Sequence, residues 1–452
     1  MPDQATLRPT RSPRPDRVSS FGRHSKRRVI SLLIGASMPA RLRLSVDRLV
    51  DGTGHPTQTG AALLIEGDRL AAIGPDDAIP RPEDALSLAF PRATAVPGLI
   101  DAHVHVTVSW EATREGTIER YGRETDTDLM ARAAGTVERM VRVGVTSAFS
   151  CGERGLTAYQ VRDAIARGVI VGPRLLVSGQ PLTPTGGHCH WMGGEVDGSD
   201  GLRAAVRQHV DDGADAIKVM ATGGFATPST DPAVAAYPLE ALQAAVDEAH
   251  RLDRRVTAHA HGVSGMQLAV QAGLDSIEHA SMSGPGGRWT FDHALADQLA
   301  EHHVRAVPSI AADTRGQLGP GPGWTNLSVP EAFWVRTRMA NARRLREAGV
   351  TLIPGTDGSD FGEAIHLELE AFNAIGFDPS SAIRAATLEA ARHLGIDAMT
   401  GSLEVGKSAD VLVVEGEADR DIRTLRRPLL VLVGGRMVQP TPPPPWPGPL
   451  PW

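Results

Sequence analysis

Residues 95–106, Ala-Val-Pro-Gly-Leu-Ile-Asp-Ala-His-Val-His-Val, read as one buried β-strand closing on two histidines, His103 and His105. Apolar, strand-forming residues fill the run, and a strand sends residues i and i+2 to the same face. Both imidazoles can therefore grip one ion. Alone the pair is a weak signal, because histidines at this spacing also occur by chance on surfaces and in cores. No G-x-G-x-x-G follows the strand, which leaves a doubly wound open sheet without its main support.

Working outward, seven further apolar runs follow: 145–150, 174–178, 214–220, 255–259, 275–279, 304–309 and 350–356. Stretches such as Leu239 to Leu252 and Glu331 to Ala348 lie between them, with apolar residues three and four apart among strong helix formers. Strand followed by helix, eight times over, predicts an α/β chain folded as a (β/α)8 TIM barrel, whose active site lies where the strands end.

Before the barrel, Leu42 to Ile73 alternates in short runs broken by Asp-Gly, Gly-Asp and Gly-Pro, which are hairpin and turn signals. A similar pattern returns at 401–404, 409–415 and 429–438, so the two ends are expected to pair as one small β-sandwich. The reading divides the chain into a leader (1–37), a composite β-sandwich (38–93 and 401–439), the barrel (94–400) and a Pro-rich, extended tail (440–452). Eight Arg and Lys residues stand against two Asp in the leader, which carries no periodicity. Lys26-Arg27-Arg28 before Val29 to Ala36 is like a short signal peptide, but the apolar part is at the lower limit. A start assigned too early, with Met38 opening the fold, is the preferred reading.

Over 452 residues, 41% are hydrophobic, 22% charged and 4% aromatic, with a formal net charge of -7. That is a globular composition, without a run near the ~20 apolar residues a bilayer needs. A net acidic chain poor in aromatics has neither the field nor the stacking platforms for nucleic acid. A small-molecule partner fits better. Cys151 and Cys189 are too few for a disulfide framework, which points to a reducing, cytoplasmic compartment.

At the other strand ends stand Lys218, the pair His259 and His261, His279, and Asp357 in Gly355-Thr356-Asp357-Gly358. Imidazole with carboxylate suits Zn(II), Mn(II) or similar ions rather than Ca(II), zinc first. Lys218 could instead make a plain salt bridge, and Asp357 could cap a turn.

Taken together, PGLIDAHVH, DAIKVMATGG, VTAHAHG, SIEHAS and PGTDGS resemble the metal-dependent amidohydrolase superfamily over roughly residues 38–438. The likeness is strongest to its imidazolonepropionase-like branch, with Xaa-Pro dipeptidases and acyl-amino-acid and mycotoxin amidohydrolases. The resemblance implies two divalent metal ions: His103, His105 and Asp357 on one, His259 and His279 on the other, and Lys218 bridging them as a carbon dioxide-derived carbamate. It further implies hydrolysis of an amide-type C–N bond in an N-acyl amino acid, dipeptide or aryl amide or urea. The nucleophile would be a hydroxide bridging the ions, with Asp357 as general base and acid and His261 polarising the carbonyl. Such barrels often assemble as homo-oligomers. A mononuclear hydrolase or deaminase of cyclic substrates is the second reading, and a non-catalytic scaffold barrel the third; lost ligands would mark the scaffold, and none is missing.

For substrate contacts the sequence offers four residues. His188 lies in the Gly186-Gly187 loop after the third strand, and Trp191 beside it could form an apolar wall. Tyr237, after the Gly223-Gly224 loop, could bind a carboxylate or carbonyl, or simply open a helix. Arg154, after the second strand, could pair an anionic substrate or be a solvated loop charge. Cys189 and His190 read more readily as loop residues than as a further metal site.

Overall fold

The computed structural model describes residues 40–111, 113–284, 291–312, 329–358 and 364–443. The leader read at 1–37 and most of the tail lie outside them.

The amino-terminal strands are β1 (Arg41–Leu49), β2 (Gln58–Glu66), β3 (Arg69–Pro75) and β4 (Leu86–Pro97); the carboxy-terminal ones are β12 (Val411–Glu415), β13 (Pro428–Val433) and β14 (Arg436–Val438). They interleave in a single seven-stranded mixed sheet, ordered β14-β13-β12-β4-β1-β2-β3. Glu66 pairs with Arg69 across a two-residue turn with Gly67 at φ 61°, a conformation that costs glycine little. Leu42, Leu44, Val46 and Leu49 of β1 face one buried cluster with Val411 and Val413. Arg43 points the other way and is also buried: its guanidinium donates to Pro80 O, Ser45 Oγ, Asp76 O and Asp76 Oδ1, so the charge is fully satisfied there.

Residues 95–106 form two strands rather than one. β4 stays in the seven-stranded sheet, and β5 (Leu99–Val104) enters the barrel. The break is at Gly98, where a Cβ would overlap the Thr146 side chain, so only glycine lets the chain pass between the two bodies.

The barrel strands are all parallel and lie in two arcs. One is β5, β6 (Val145–Ser150) and β7 (Arg174–Val177); the other is β8 (Ala216–Met220), β9 (Arg255–Gly262), β10 (Ser276–Ser283) and β11 (Arg305–Val307). Isolated bridges span both gaps. Leu182 N donates to Lys218 O and Met220 N to Leu182 O on one side. On the other, Ile353 N donates to Ala306 O, Asp357 N to His103 O and His105 N to Gly358 O. The eighth segment, 350–356, makes bridges instead of a regular strand: Pro354 has no N–H to give, and Gly355 packs its backbone against His103.

Helices cover the strands. Asp126–Arg142 begins with a capping box, in which Asp128 N donates to Thr125 Oγ1 and Thr125 N to Asp128 Oδ2. It buries Leu129, Ala133, Val137, Met140 and Val141, one stripe at helical spacing. No described helix is long and apolar enough to cross a membrane.

Candidate metal centre

The strand ends converge on a knot of histidines. His259, His261 and His279 bring three ring nitrogens within 4.8 Å of one another, and His103, His105 and Asp357 do the same with two nitrogens and a carboxylate oxygen. His105 Nε2 lies 3.3 Å from Asp357 Oδ1 and His103 Nε2 3.5 Å from the same oxygen. The His103 and His279 ring centroids, 5.3 Å apart, join the two groups. Lys218 is 1% exposed, and its ammonium makes no hydrogen bond or ion pair with any described residue. Its charge nonetheless acts on His103, His105 and Glu278 as well as on His259 and His261.

The other ring nitrogens are anchored so that these faces stay open. His105 Nδ1 donates to Gly152 O at 2.8 Å, which leaves the Nε2 lone pair toward Asp357. His259 Nε2 donates to Gly223 O at 3.1 Å, leaving Nδ1 unprotonated. His261 Nδ1 meets the Ser281 hydroxyl at 3.0 Å. Buried His279 Nδ1 and His188 Nδ1 have no partner among the described residues. Burial, reinforced by neighbouring histidines at His259 and His279 and by Arg338 and then His188 at His261, holds all three well below the usual imidazole range, in the neutral form that binds metals. Burial opposes a charge on His105 too, but Asp357 raises its pKa by hydrogen bond and charge. Oriented, neutral, partnerless donors beside a carboxylate fit a divalent metal.

Backbone strain collects at the same place. His279 has φ 68° and Asp357 φ 50°, and Ala280, Met282 and Ser309 nearby are also left-handed. Non-glycine residues hold such angles at a cost, and in folded proteins they gather at functional sites.

Several participants escape a sequence reading. Glu278, fully buried, places Oε2 2.8 Å from His103 Nδ1 and accepts from Thr257 Oγ1 at 2.6 Å. Burial favours its protonation, but His103 and then Lys218 outweigh it and hold the carboxyl at about 2. Glu153 accepts from Val106 N, Thr107 N, Thr107 Oγ1 and Ser150 Oγ, clamping the chain just past His105. Asp101 accepts from His103 N and from both Thr356 N and Thr356 Oγ1, tying the first strand to the residue before Asp357. Adjacency to His279 and His103 is the only sequence signal for Glu278 and Asp101.

Among the substrate candidates, His188 lies with its ring 4.4 Å from that of His259, and a Cβ on Gly224 would overlap it. Trp191 packs edge-on against Tyr121 at 5.0 Å, in an apolar cluster with Val108, Met192 and Met220; its indole N–H has no described partner. Tyr237 is buried, and its hydroxyl donates to Val196 O at 2.8 Å. Arg154 is committed to Tyr121 O, Glu124 O and Asp126, where it fastens the junction between the helices Arg114–Arg123 and Asp126–Arg142. Cys189 is buried and His190 half-buried in the same loop as Trp191. Arg114 was not singled out by sequence. Its guanidinium lies 6.0 Å over the Phe225 ring, which packs 4.8 Å from His261, and its charge reaches His188.

Known proteins resemble the chain as a whole. The Aspergillus niger ochratoxinase is 30% identical over 421 residues, covering 85% of this chain and 83% of its own. An imidazolonepropionase from Symbiobacterium thermophilum is 27% identical, over 81% and 86% of the two chains. The crystal structure of a Xaa-Pro dipeptidase with bound methionine superposes with a TM-score of 0.77 at 27% identity, over 88% of this chain and 99% of that one. The Amidohydrolase family model matches residues 94–438, most of the chain. The protein therefore belongs to the amidohydrolase family and is a hydrolase of carbon–nitrogen bonds.

Proposed function

We propose that the chain is a binuclear enzyme that hydrolyses the amide bond of small N-acyl amino acids or dipeptides. The observation that carries this is the position of Lys218: buried, without a hydrogen-bonding partner, and electrostatically coupled to both ligand groups. His103, His105 and Asp357 would hold one divalent ion and His259 and His279 the other, with zinc as the best match to the donors. Lys218, carbamylated, would serve both. When bound, the ions supply a lowered water pKa and a polarised substrate carbonyl.

The protein's own groups do the rest. Asp357 accepts the proton of the attacking water and passes it to the leaving nitrogen. With Nδ1 accepting from Ser281, His261 keeps a proton on Nε2 and donates it to the developing oxyanion. His188 orients the substrate through its partnerless, buried ring, and Trp191 closes an apolar side. Tyr237 and Arg154 act on the same space through the segments they fasten. Arg114 favours a substrate bearing a carboxylate over a neutral aryl amide or urea, because its guanidinium makes no ion pair or hydrogen bond among the described residues, lies over the Phe225 ring that packs on His261, and acts electrostatically on His188. Relatives named for ochratoxin and Xaa-Pro substrates are compatible with this class. Two free, buried cysteines fit a cytoplasmic enzyme, and a homo-oligomer is the assembly we favour.

The test is metal content per chain after reconstitution with bicarbonate, together with the intact mass under non-acidic conditions. Two ions and one carbamate are expected. One ion and an unmodified Lys218 would move the assignment to mononuclear hydrolysis or deamination of cyclic substrates.

A further inference from the structure

At the opposite ends of β8, β9 and β10 from the histidines of β9 and β10 lies a cavity of about 690 Å3. The first residues of β8, β9 and β10 (Ala216, Arg255 and Ser276) line it, and His393 to Ile396 form its floor, where the helix Ala390–Leu394 stops on Gly395 at φ 72°. Phe149, Leu176, Leu394 and Ile396 make one wall apolar.

Two features are unlike ordinary barrel packing. His393 is 5% exposed, lines the cavity, and has no hydrogen-bond partner at either ring nitrogen among the described residues. A buried imidazole left so is costly unless something else completes its bonds. Burial holds it at about 4, so at neutral pH it is uncharged, with one donor and one acceptor. Second, a guanidinium at this end keeps unused donors. Arg255 uses Nη1 on the carbonyls of Arg392 and His393, which leaves Nε and Nη2 without described partners. The guanidinium of Arg305 beside it makes no hydrogen bond or ion pair among the described residues, and burial and then Arg255 lower its pKa.

Asp215, Asp253, Asp275 and Arg254 also line the cavity, so what anchors a ligand here is the unused donors of Arg255 and His393, not a net positive field. Asp275 accepts from Val256 N and faces His250, and Asp215 accepts from Val177 N and Arg162. Asp253 is exposed at the mouth.

We propose that this cavity is a second ligand site, for a small monocarboxylate with an apolar body, bound by Arg255 and the donor nitrogen of His393 with its body against Phe149, Leu176 and Ile396. The volume is within the usual range for small-molecule sites, as is an apolar wall with a few convergent polar groups. Thr257 also lines the cavity and donates to Glu278, which faces His103. An occupant is thus one hydrogen-bonded chain away from the metal ligands.

The experiment uses metal-loaded, full-length protein and phenylacetate as probe, with phenylacetamide as the uncharged control, followed by titration calorimetry. Phenylacetate is expected to bind and phenylacetamide not. Arg255→Gln should weaken binding about tenfold, the loss of one charge-assisted hydrogen bond, and Ile396→Trp should abolish it by filling the space. Arg114→Gln, at the other end of the barrel, should leave this binding unchanged. Crystals soaked in 4-bromophenylacetate need no variant: a bromine anomalous peak is expected against Phe149 and Ile396. A peak at the metal centre alone, unchanged affinity in Ile396→Trp, or no heat with wild type up to ~10 mM probe would overturn the proposal.

Discussion

His103 Nδ1 lies 2.8 Å from Glu278 Oε2, both fully buried, so the ring that offers Nε2 to Asp357 is oriented from behind by a carboxylate. A partner of this kind fixes the tautomer of a metal-binding imidazole and raises its basicity. Glu278→Gln keeps the shape and can still accept from Thr257, but loses the charge. Metal affinity, read by competition with a chelator, is expected to fall roughly 10- to 100-fold with the melting curve of the loaded protein still cooperative. Unchanged affinity would remove Glu278 from the positioning of His103.

Asp357 stands at φ 50°, which asparagine tolerates nearly as well as aspartate. Asp357→Asn therefore tests chemistry with little backbone penalty. The fold and most of the metal should remain, while kcat falls more than ~100-fold, as for a lost general base. A near-normal kcat would exclude Asp357 as the proton carrier.

How far the sequence reaches is clearest at β10. Alternation assigns Glu278 and His279 to opposite faces of a strand, so a pattern reading that selects the histidine discards the glutamate. In the structure His279 turns to φ 68°, and both residues approach His103. Local strain of this kind has no sequence period. The same limit holds at the eighth segment, where apolar content reads as a strand but Pro354 and Gly355 reduce it to bridges, and at Gly98, where a continuous apolar run hides a passage between two bodies. Residues on regular strand ends, such as His103 and His259, are legible because spacing alone places them. Arg154 and Arg114 are not separable by spacing: each follows a barrel strand, and only the loop path decides which one meets Tyr121 O and Glu124 O and which reaches Phe225.

Glu368 makes stability depend on pH. Burial raises its carboxyl to about 8, against the opposing donation from Ala311 N and Ile310 N. The folded chain then holds a proton that the unfolded chain releases near the ordinary carboxyl value, so between about pH 4.5 and 8 the native state binds more protons and stability falls as pH rises. Glu368→Gln carries no such proton. Its Tm should decline less than that of wild type between pH 6 and 8, both measured metal-loaded; parallel declines would show that Glu368 titrates alike in both states.

Arg114 decides between substrate classes. It lies over Phe225, whose ring packs on His261, and close enough to His188 to act on it electrostatically. A guanidinium there gains a charge-assisted hydrogen bond from a substrate carboxylate, typically ~1.5–3 kcal/mol, and gains nothing comparable from a neutral amide. Arg114→Gln should therefore raise KM for an N-acyl amino acid by about tenfold or more with kcat little changed, and leave kcat/KM for the corresponding amino-acid amide within about twofold of wild type. Arg114→Lys should recover part of the loss, since the charge returns without the planar fork. If both substrates suffer equally in Arg114→Gln, the residue shapes the mouth through Phe225, and the preference for a carboxylate-bearing substrate loses its support.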